Sequence, residues 1–204
     1  MEYIMFEQSK AAKRRFDDGN FHNRYFIGNG IDIGCGDDNL GRFRHVFRNI
    51  QSVRPWDLPD GDAQYLKGLH DNEFDFVTSS HCLEHMVEPR IALKNWIRVC
   101  KSNGYLVITI PDEEMYEQGI WPSIYNTDHK WTFTLNDNRG LPAQYRPLMT
   151  NTINVLELCQ EVNTIAVVEK IEVIRDFYYE GYPAQDQTLH PCIESCIEII
   201  LRKL

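Results

Sequence analysis

The stretch that decides the fold is Gly30-Ile31-Asp32-Ile33-Gly34-Cys35-Gly36. Its first residues are typical of a short strand, and that strand runs directly into closely spaced glycines. Because glycine has no side chain, the backbone of such a turn can come close to a bound ligand. The stretch therefore predicts a strand followed by a ligand-binding turn.

Strand and helix signals alternate from this point on, which predicts an α/β fold with a mostly parallel sheet and helices on both faces. Leu40, Phe43 and Phe47 recur at helical spacing, and Asn39 or Asp38 is a suitable N-cap for that helix. Further elements are predicted from the same signals: strands at 51–57, 74–79, 105–110, about 165–178 and about 193–204, and a helix at about 151–162.

Two finer predictions concern single elements. Pro89 opens a helix that we expect to end at Ser102-Asn103-Gly104, with Gly104 in the left-handed conformation. The apolar strand Ile197 to Leu201 suits two arrangements equally, pairing across a homodimer or burial within one sheet.

Residues 112–149 break the alternation, because this stretch is rich in aromatic residues, polar residues and proline. It is too long for a plain connection in a compact domain. We therefore predict a substrate-side insertion or lid within a single domain that spans residues 1–204.

Composition narrows the class of protein. The 204 residues carry 21 Lys and Arg against 30 Asp and Glu, a net charge of −9 that disfavours binding to nucleic acid. No apolar run is long enough to span a membrane, and the N-terminus lacks the residue order of a secretory signal, so we predict a cytoplasmic protein. The six cysteines include no CxxC pair, which argues against a disulfide framework and a structural zinc site.

The spacing of the glycines argues against a dinucleotide site. Gly34, Gly36 and Gly41 do not fit the GxGxxG pattern that places a pyrophosphate on a helix N-terminus. The acids Asp37 and Asp38 follow the turn and would repel phosphates. A positively charged ligand without phosphates suits this turn better.

An acid two residues before GxG resembles the first motif of the class I S-adenosylmethionine-dependent methyltransferases, and further matches follow in order over residues 28–112. The resemblance implies a Rossmann-like sheet of seven strands with an antiparallel C-terminal strand, and S-adenosylmethionine as cofactor. It also implies that Asp32 faces the methionine end of that cofactor, although an acid here could equally only brace the turn. Gly34, Cys35 and Gly36 would contact the cofactor through their backbone, with Cys35 chosen for its small volume.

The resemblance also assigns the adenosine side of the cofactor. Asp57, after the second strand, would bind the ribose hydroxyls, and Asp62 and Ala63 would lie beside the adenine. Ser79 and Ser80 match the turn after the family's fourth strand. Only four residues separate Asp57 from Asp62, where the family usually has a helix and a strand. Either that unit is trimmed to a turn, or one of the two assignments is wrong.

The base that takes a proton from the acceptor is predicted to be His129, with His81 as the second candidate. His129 follows an acid and is flanked by aromatic residues, although a histidine hydrogen-bonded within the lid fits the same string. His81 and His85 lie four residues apart, but no third ligand is evident, so no metal site is predicted. We expect His85 to pack structurally against the cofactor loop.

The acceptor side is predicted from the insertion. Asp112, Tyr116 and Trp131 are candidate substrate contacts, and Glu113 and Glu114 are expected to form a solvated acidic turn. The insertion resembles small methyltransferases of bacterial glycan assembly, which implies O-methylation of a sugar or glycan precursor. Two alternatives remain open: a catalytically silent cofactor-binding scaffold, and an NAD-dependent oxidoreductase on a Rossmann sheet.

Overall fold

The computed structural model describes residues 6–136, 151–181 and 184–204. These residues form eight strands and four α-helices, joined by short 3-10 turns. The strands are β1 (Gly28–Ile33), β2 (Ile50–Trp56), β3 (Phe74–Ser80), β4 (Cys100–Pro111), β5 (Thr132–Thr134), β6 (Thr152–Asn154), β7 (Ala166–Ile174) and β8 (Cys196–Lys203). The helices are α1 (Glu7–Asp17), α2 (Phe21–Arg24), α3 (Pro89–Val99) and α4 (Val155–Gln160).

The main sheet has the strand order β2-β1-β3-β4-β8-β7. The first four strands are parallel, and β8 runs antiparallel to both β4 and β7. The predicted α/β class and the antiparallel C-terminal strand are therefore confirmed. Because β1 and β3 lie side by side in the sheet, the glycine turn after β1 and the turn after β3 meet at the same sheet edge.

The prediction of seven strands is wrong, because the described residues place six in this sheet. The reason lies between Asp57 and Asp62. A single 3-10 turn, Leu58–Asp60, occupies this interval where the family usually has a helix and a strand. The unit is trimmed, so β2 becomes an edge strand of the described sheet.

Helices cover both faces of the sheet, as the alternation of strand residues requires. Val77 and Leu106 pack with α3 and α4 on one face. Their neighbours Phe76 and Val107 pack with α1 and α2 on the other face. The central strands are therefore buried on both sides, and the ends of these strands hold the polar residues.

Several element boundaries differ from the prediction. The helix expected after Asn39 is a short 3-10 turn, Leu40–Phe43, although the Asn39 side chain does cap it by accepting from the Gly41 N–H. The helix opened by Pro89 ends at Val99, earlier than expected. The left-handed residue is Asn103, with φ 64°, and not Gly104, where a Cβ would lie only 2.6 Å from the Asp75 carbonyl oxygen.

The secondary-structure elements of the C-terminal part are shorter than predicted. The predicted strand 165–178 ends at Ile174, and the predicted helix 151–162 is divided between β6 and α4. The strand Ile197 to Leu201 is hydrogen-bonded to β4 on one edge and β7 on the other, so pairing across a dimer through this strand is excluded.

The predicted insertion is partly described. Residues 113–117 form a π-helical turn, and β5 pairs with β6 in a small separate sheet. Residues 137–150 of the insertion, and Tyr182 and Pro183 of the later loop, lie outside the described residues. None of the described helices is both long and apolar enough to cross a membrane.

Candidate functional site

The glycine turn after β1 has one crowded glycine and one open glycine. Gly34 has φ 70°, and a Cβ there would overlap the Sγ of Cys82, so only glycine fits. Gly36 has φ 49°, and the nearest atom to a Cβ there would be the Asp57 Oδ2 at 4.0 Å. The turn is therefore packed against the protein at Gly34 and open to a ligand at Gly36.

Asp32 braces this turn and keeps one oxygen available. Its Oδ2 accepts a hydrogen bond from the Leu40 N–H at 2.7 Å, and its Oδ1 is buried with no donor among the described residues. Burial raises the pKa of Asp32 to about 7. The bracing and ligand-facing roles considered for this acid are thus compatible, because each uses a different oxygen.

Two cavities meet at the glycine turn. The larger has a volume of about 740 Å³ and is lined by the 57–65 segment and by the turn after β3. The smaller, about 300 Å³, is lined by Asp32, Cys35, Ser80 and the N-terminal residues of α1. Gly34, Gly36 and His81 line both. We call the larger cavity the cleft.

The carboxylate of Asp57 lies at the end of β2 and faces the cleft. Its Oδ2 accepts from the Gly36 N–H at 2.7 Å and its Oδ1 from the Leu58 N–H at 2.7 Å. The Asp57 side chain also takes part in a capping box with Asp60, and carboxylate oxygens, which can each accept more than one hydrogen bond, keep acceptor capacity for a ligand. Asp62 and Ala63 line the same cleft, on the far side of the 3-10 turn.

The shape and donor set of the two cavities fit S-adenosylmethionine. This molecule joins an adenosine to an amino acid through a sulfonium ion, so it is long, carries positive charge and has no phosphates. The Asp57 carboxylate suits ribose hydroxyls, and the unpartnered Asp32 Oδ1 suits an ammonium group. The thiol of Cys35, whose pKa burial raises to about 11, stays protonated, as expected of a residue present for its small volume.

His81 lies where the two cavities meet. It follows the last residue of β3 and has φ 53°, a left-handed backbone that costs a non-glycine residue about 1 kcal/mol or more. Its Nε2 is 3.6 Å from the Glu7 Oε2, and its Nδ1 is 3.7 Å from the Glu84 Oε1. Burial, aided by the positive charge of Lys10, lowers the pKa of His81 to about 3, so the ring is neutral at neutral pH.

His129, the first candidate base, lies behind the wall of the cleft. It is buried and lines neither of the two cavities. Its Nδ1 is bonded to the Glu117 Oε1 at 2.7 Å, and its ring packs against Tyr116 and His85. Of the two histidines, only His81 therefore faces the space that a ligand can reach.

Four other predicted residues also lie outside the lining of the two cavities. The Ser79 hydroxyl donates to the Ile33 carbonyl at 2.9 Å and so ties β3 to β1. Asp112 caps the π-helical turn, and burial raises its pKa to about 6. Tyr116 stacks on a histidine ring, and the indole N–H of Trp131 donates to the Val87 carbonyl.

Glu113 corrects one expectation. The 113–114 pair was expected to be a solvated acidic turn, but the Glu113 side chain is buried and accepts from the Thr132 hydroxyl at 2.6 Å. Only Glu114, which accepts from the Asn136 amide, is partly exposed.

Glu84 is the residue that the sequence analysis missed. It is fully buried, and neither of its carboxylate oxygens has a donor among the described residues. His85, predicted to be structural, lines the cleft and lies beside Glu84. His81-x-x-Glu84-His85 has the H-x-x-E-H spacing of one class of zinc site, but this spacing does not indicate that His129 lies beside Glu84.

Comparisons with known proteins support the assignment of the fold. Residues 41–108 match the family model described as a methyltransferase domain. Over 79 residues, 39% of this chain, the sequence is 39% identical to the demethylmenaquinone methyltransferase of Paenarthrobacter aurescens (strain TC1). The matched segment spans 30% of that protein's length.

Solved structures share the fold over nearly the whole chain. An S-adenosylmethionine-dependent methyltransferase from Archaeoglobus fulgidus aligns with a TM-score of 0.58 and 19% identity, over 95% of this chain and 92% of that one. The cyclase SpnF aligns with a TM-score of 0.52 and 15% identity, over 99% and 84%. The chain therefore contains a segment, residues 41–108, that matches a methyltransferase-domain model, and it shares its fold with S-adenosylmethionine-dependent methyltransferases of known structure.

Proposed function

We propose that this chain transfers a methyl group from S-adenosylmethionine to a hydroxyl of a small polar acceptor, a sugar or glycan precursor. The observation that carries the proposal is the meeting of the two cavities at Gly34, Gly36 and His81. A cofactor held by Asp57 at one end and Asp32 at the other would have its sulfonium near this junction. The sulfonium supplies an activated methyl group, so the protein need only align the acceptor and remove a proton.

His81 is better placed than His129 to accept that proton. It lines both cavities at their junction, whereas His129 lines neither. On transfer, the acceptor oxygen gains the methyl group, the methyl–sulfur bond breaks, and the hydroxyl proton passes to His81. The products are the methyl ether and S-adenosylhomocysteine.

The polar wall of the cleft supports a polyhydroxyl acceptor. Asp128, Lys130 and Glu88 line the cleft beyond the histidines and offer both donors and acceptors. Sugar hydroxyls both donate and accept, so they suit such mixed partners.

Calorimetric titration with S-adenosylhomocysteine tests the cofactor part. Asp57→Asn should weaken binding about 10-fold or more, since hydrogen bonds to a charged group contribute roughly 1.5–3 kcal/mol. Asp60→Asn is the matched control, because it removes the same charge from the same turn at a residue that does not line the cleft. Absence of binding by folded protein, or preferential binding of NADH, would overturn the proposal.

Transfer of a labelled methyl group to a panel of sugars, sugar nucleotides and amines tests the acceptor part. We expect labelled sugar products, and in His81→Asn a fall in kcat with unchanged S-adenosylhomocysteine affinity. If amines are labelled and sugars are not, the chain is a methyltransferase but its acceptor is not a sugar. Intact cofactor binding with no labelled product from any acceptor would favour the silent scaffold. A protein of this fold need not be a methyltransferase, since SpnF is a cyclase.

A further inference from the structure

Glu84, His85 and His129 form a compact group, which we call the histidine cluster. One ligand atom from each lies within 4.8 Å of the others. The Nε2 atoms of His85 and His129 are each 3.9 Å from the Glu84 Oε1. The three residues come from two distant segments, the turn after β3 and the insertion before β5.

These separations do not suit hydrogen bonds. At 3.9 Å, each histidine Nε2 and the Glu84 Oε1 are too far apart to share a proton in a hydrogen bond. Two ligands that share one metal ion at about 2.0–2.2 Å each can lie up to about 4.2 Å apart. The two distances from Glu84 to the histidines are therefore within the range for ligands of one cation and too long for hydrogen bonds.

The outer nitrogens of both histidines are already held by carboxylates. The Nδ1 of His129 bonds the Glu117 Oε1 at 2.7 Å, and the Nδ1 of His85 bonds the Asp128 Oδ2 at 2.9 Å. A carboxylate only accepts, so each Nδ1 carries a proton, and the Nε2 on the side of Glu84 is the atom that a metal ion would bind. Carboxylate–histidine pairs of this kind orient the histidine ligands of metal sites.

The backbone fixes the two halves of the cluster together. The Glu84 carbonyl accepts from the N–H groups of Lys130 and Trp131, at 2.9 and 3.2 Å. These bonds hold His129 opposite the Glu84 side chain. Glu84 itself is fully buried, and neither oxygen has a donor among the described residues. A buried carboxylate without donors is unfavourable, and a cation bound beside it would offset that cost.

We propose that Glu84, His85 and His129 bind a divalent transition-metal ion, with Zn²⁺ the best fit. Two histidines and one glutamate are a ligand set of catalytic zinc sites, which keep a further position for water or substrate. His85 lines the cleft, so that position would border the space proposed for the acceptor. No metal site was predicted from the sequence, because His81 and His85 alone make an incomplete site and no third ligand was evident.

The test is metal binding, which does not depend on the proposed methyl transfer. Purified reduced protein, stripped with a chelator, is titrated with Zn²⁺ by calorimetry and with Co²⁺ by visible absorption. We expect one ion per chain, and Glu84→Gln should weaken binding by about 100-fold or more, beyond the 10–100-fold typical of second-shell changes. Mg²⁺, which prefers oxygen ligands, should not compete.

His190→Asn is the matched control, because His190 is exposed and lies beside the exposed Cys192, a pair that could bind zinc adventitiously. It should leave the affinity unchanged. No Zn²⁺ binding by folded wild-type protein, or binding that survives Glu84→Gln and is lost in His190→Asn, would overturn the proposal. S-adenosylhomocysteine titration of Glu84→Gln separates loss of the metal site from loss of the fold.

Discussion

Two buried glutamates in this molecule have opposite surroundings. Glu198 on β8 accepts hydrogen bonds from Arg15 at 2.9 Å, Arg14 at 3.1 Å and Lys170 at 3.2 Å, a group we call the ion-pair cluster. Glu84 in the histidine cluster is equally buried and has no donor among the described residues. Burial acts to raise both pKa values, but the cations around Glu198 hold its pKa at about 2, whereas that of Glu84 is raised.

The difference separates a structural role from a binding role. A buried charge that is fully paired stabilises the fold around it, and removal of one partner leaves the others uncompensated. A buried carboxylate without donors destabilises the fold by itself, and a cation bound from outside the chain would offset that cost. The same residue type thus supports the fold in one cluster and a ligand in the other.

The largest effect is expected from Glu198→Gln. Arg15 is fully buried and would lose its charged partner, so we expect the free energy of unfolding to fall by about 3–5 kcal/mol. Urea denaturation measures it. Glu172→Gln is the matched control, because Glu172 lies opposite Glu198 on β7, pairs with the same Lys170 and is half exposed.

In Glu172→Gln the free energy of unfolding should fall by less than about 1 kcal/mol, because exposed ion pairs contribute no more than this. Equal losses of unfolding free energy in Glu198→Gln and Glu172→Gln would show that burial of the ion pair does not affect its contribution to stability. The contrast between the two clusters would then have no energetic basis.

The second prediction concerns pH. The pKa of Glu198 is about 2 in the folded protein and 4.5 in its ordinary state, so its contribution is complete above pH 4.5 and is lost as the pH falls toward 2. That contribution is roughly 3 kcal/mol. The difference in stability between wild-type protein and Glu198→Gln should therefore shrink as the pH is lowered from 5 to 3. A constant difference over this range would mean that the ion pairs do not set the pKa.

The sequence predicted the ordered elements around Gly34 well, because the cues there are local. Strand periodicity, the glycine turn and the Asn39 cap each depend on neighbouring residues, and the structure retains them. The prediction of a seventh strand was wrong because it came from the resemblance alone. The four residues between Asp57 and Asp62 are too few for a helix and a strand.

The histidine cluster was beyond sequence reasoning for a different reason. His129 is 45 positions after Glu84, and only backbone bonds from residues 130 and 131 bring the two segments together. Such long-range contacts leave no periodic signal. The ion-pair cluster was missed in the same way, since Arg15 and Glu198 lie near opposite ends of the chain.

The third prediction contrasts Glu84→Gln with Glu198→Gln. In the presence of a chelator, Glu84→Gln should not lower the free energy of unfolding, because no donor is lost and an unpaired buried carboxylate is removed. With Zn²⁺ at about 100 times its Kd, wild-type protein should gain roughly 2.7 kcal/mol and the variant almost none. A loss of several kcal/mol in chelator would mean that Glu84 has a stabilising partner, and the contrast between the clusters would fail.

The smallest effect is expected from Asp128→Asn, which tests how much a partly exposed carboxylate contributes to the histidine cluster. Asp128 bonds the His85 Nδ1 but is 71% exposed, so its loss should change stability in chelator by less than about 0.5 kcal/mol. Zn²⁺ affinity should still fall, by about 10-fold or less, because His85 loses the carboxylate that orients its ring. Glu117→Gln, the buried equivalent at His129, should weaken Zn²⁺ binding more than Asp128→Asn does. Equal affinities in wild-type protein and both variants would mean that these carboxylates do not orient the histidines for a metal. Burial distinguishes Glu198 from the surface ion pairs. The order of the two Zn²⁺ affinities tests whether burial also determines how much each carboxylate contributes to metal binding by the histidine cluster.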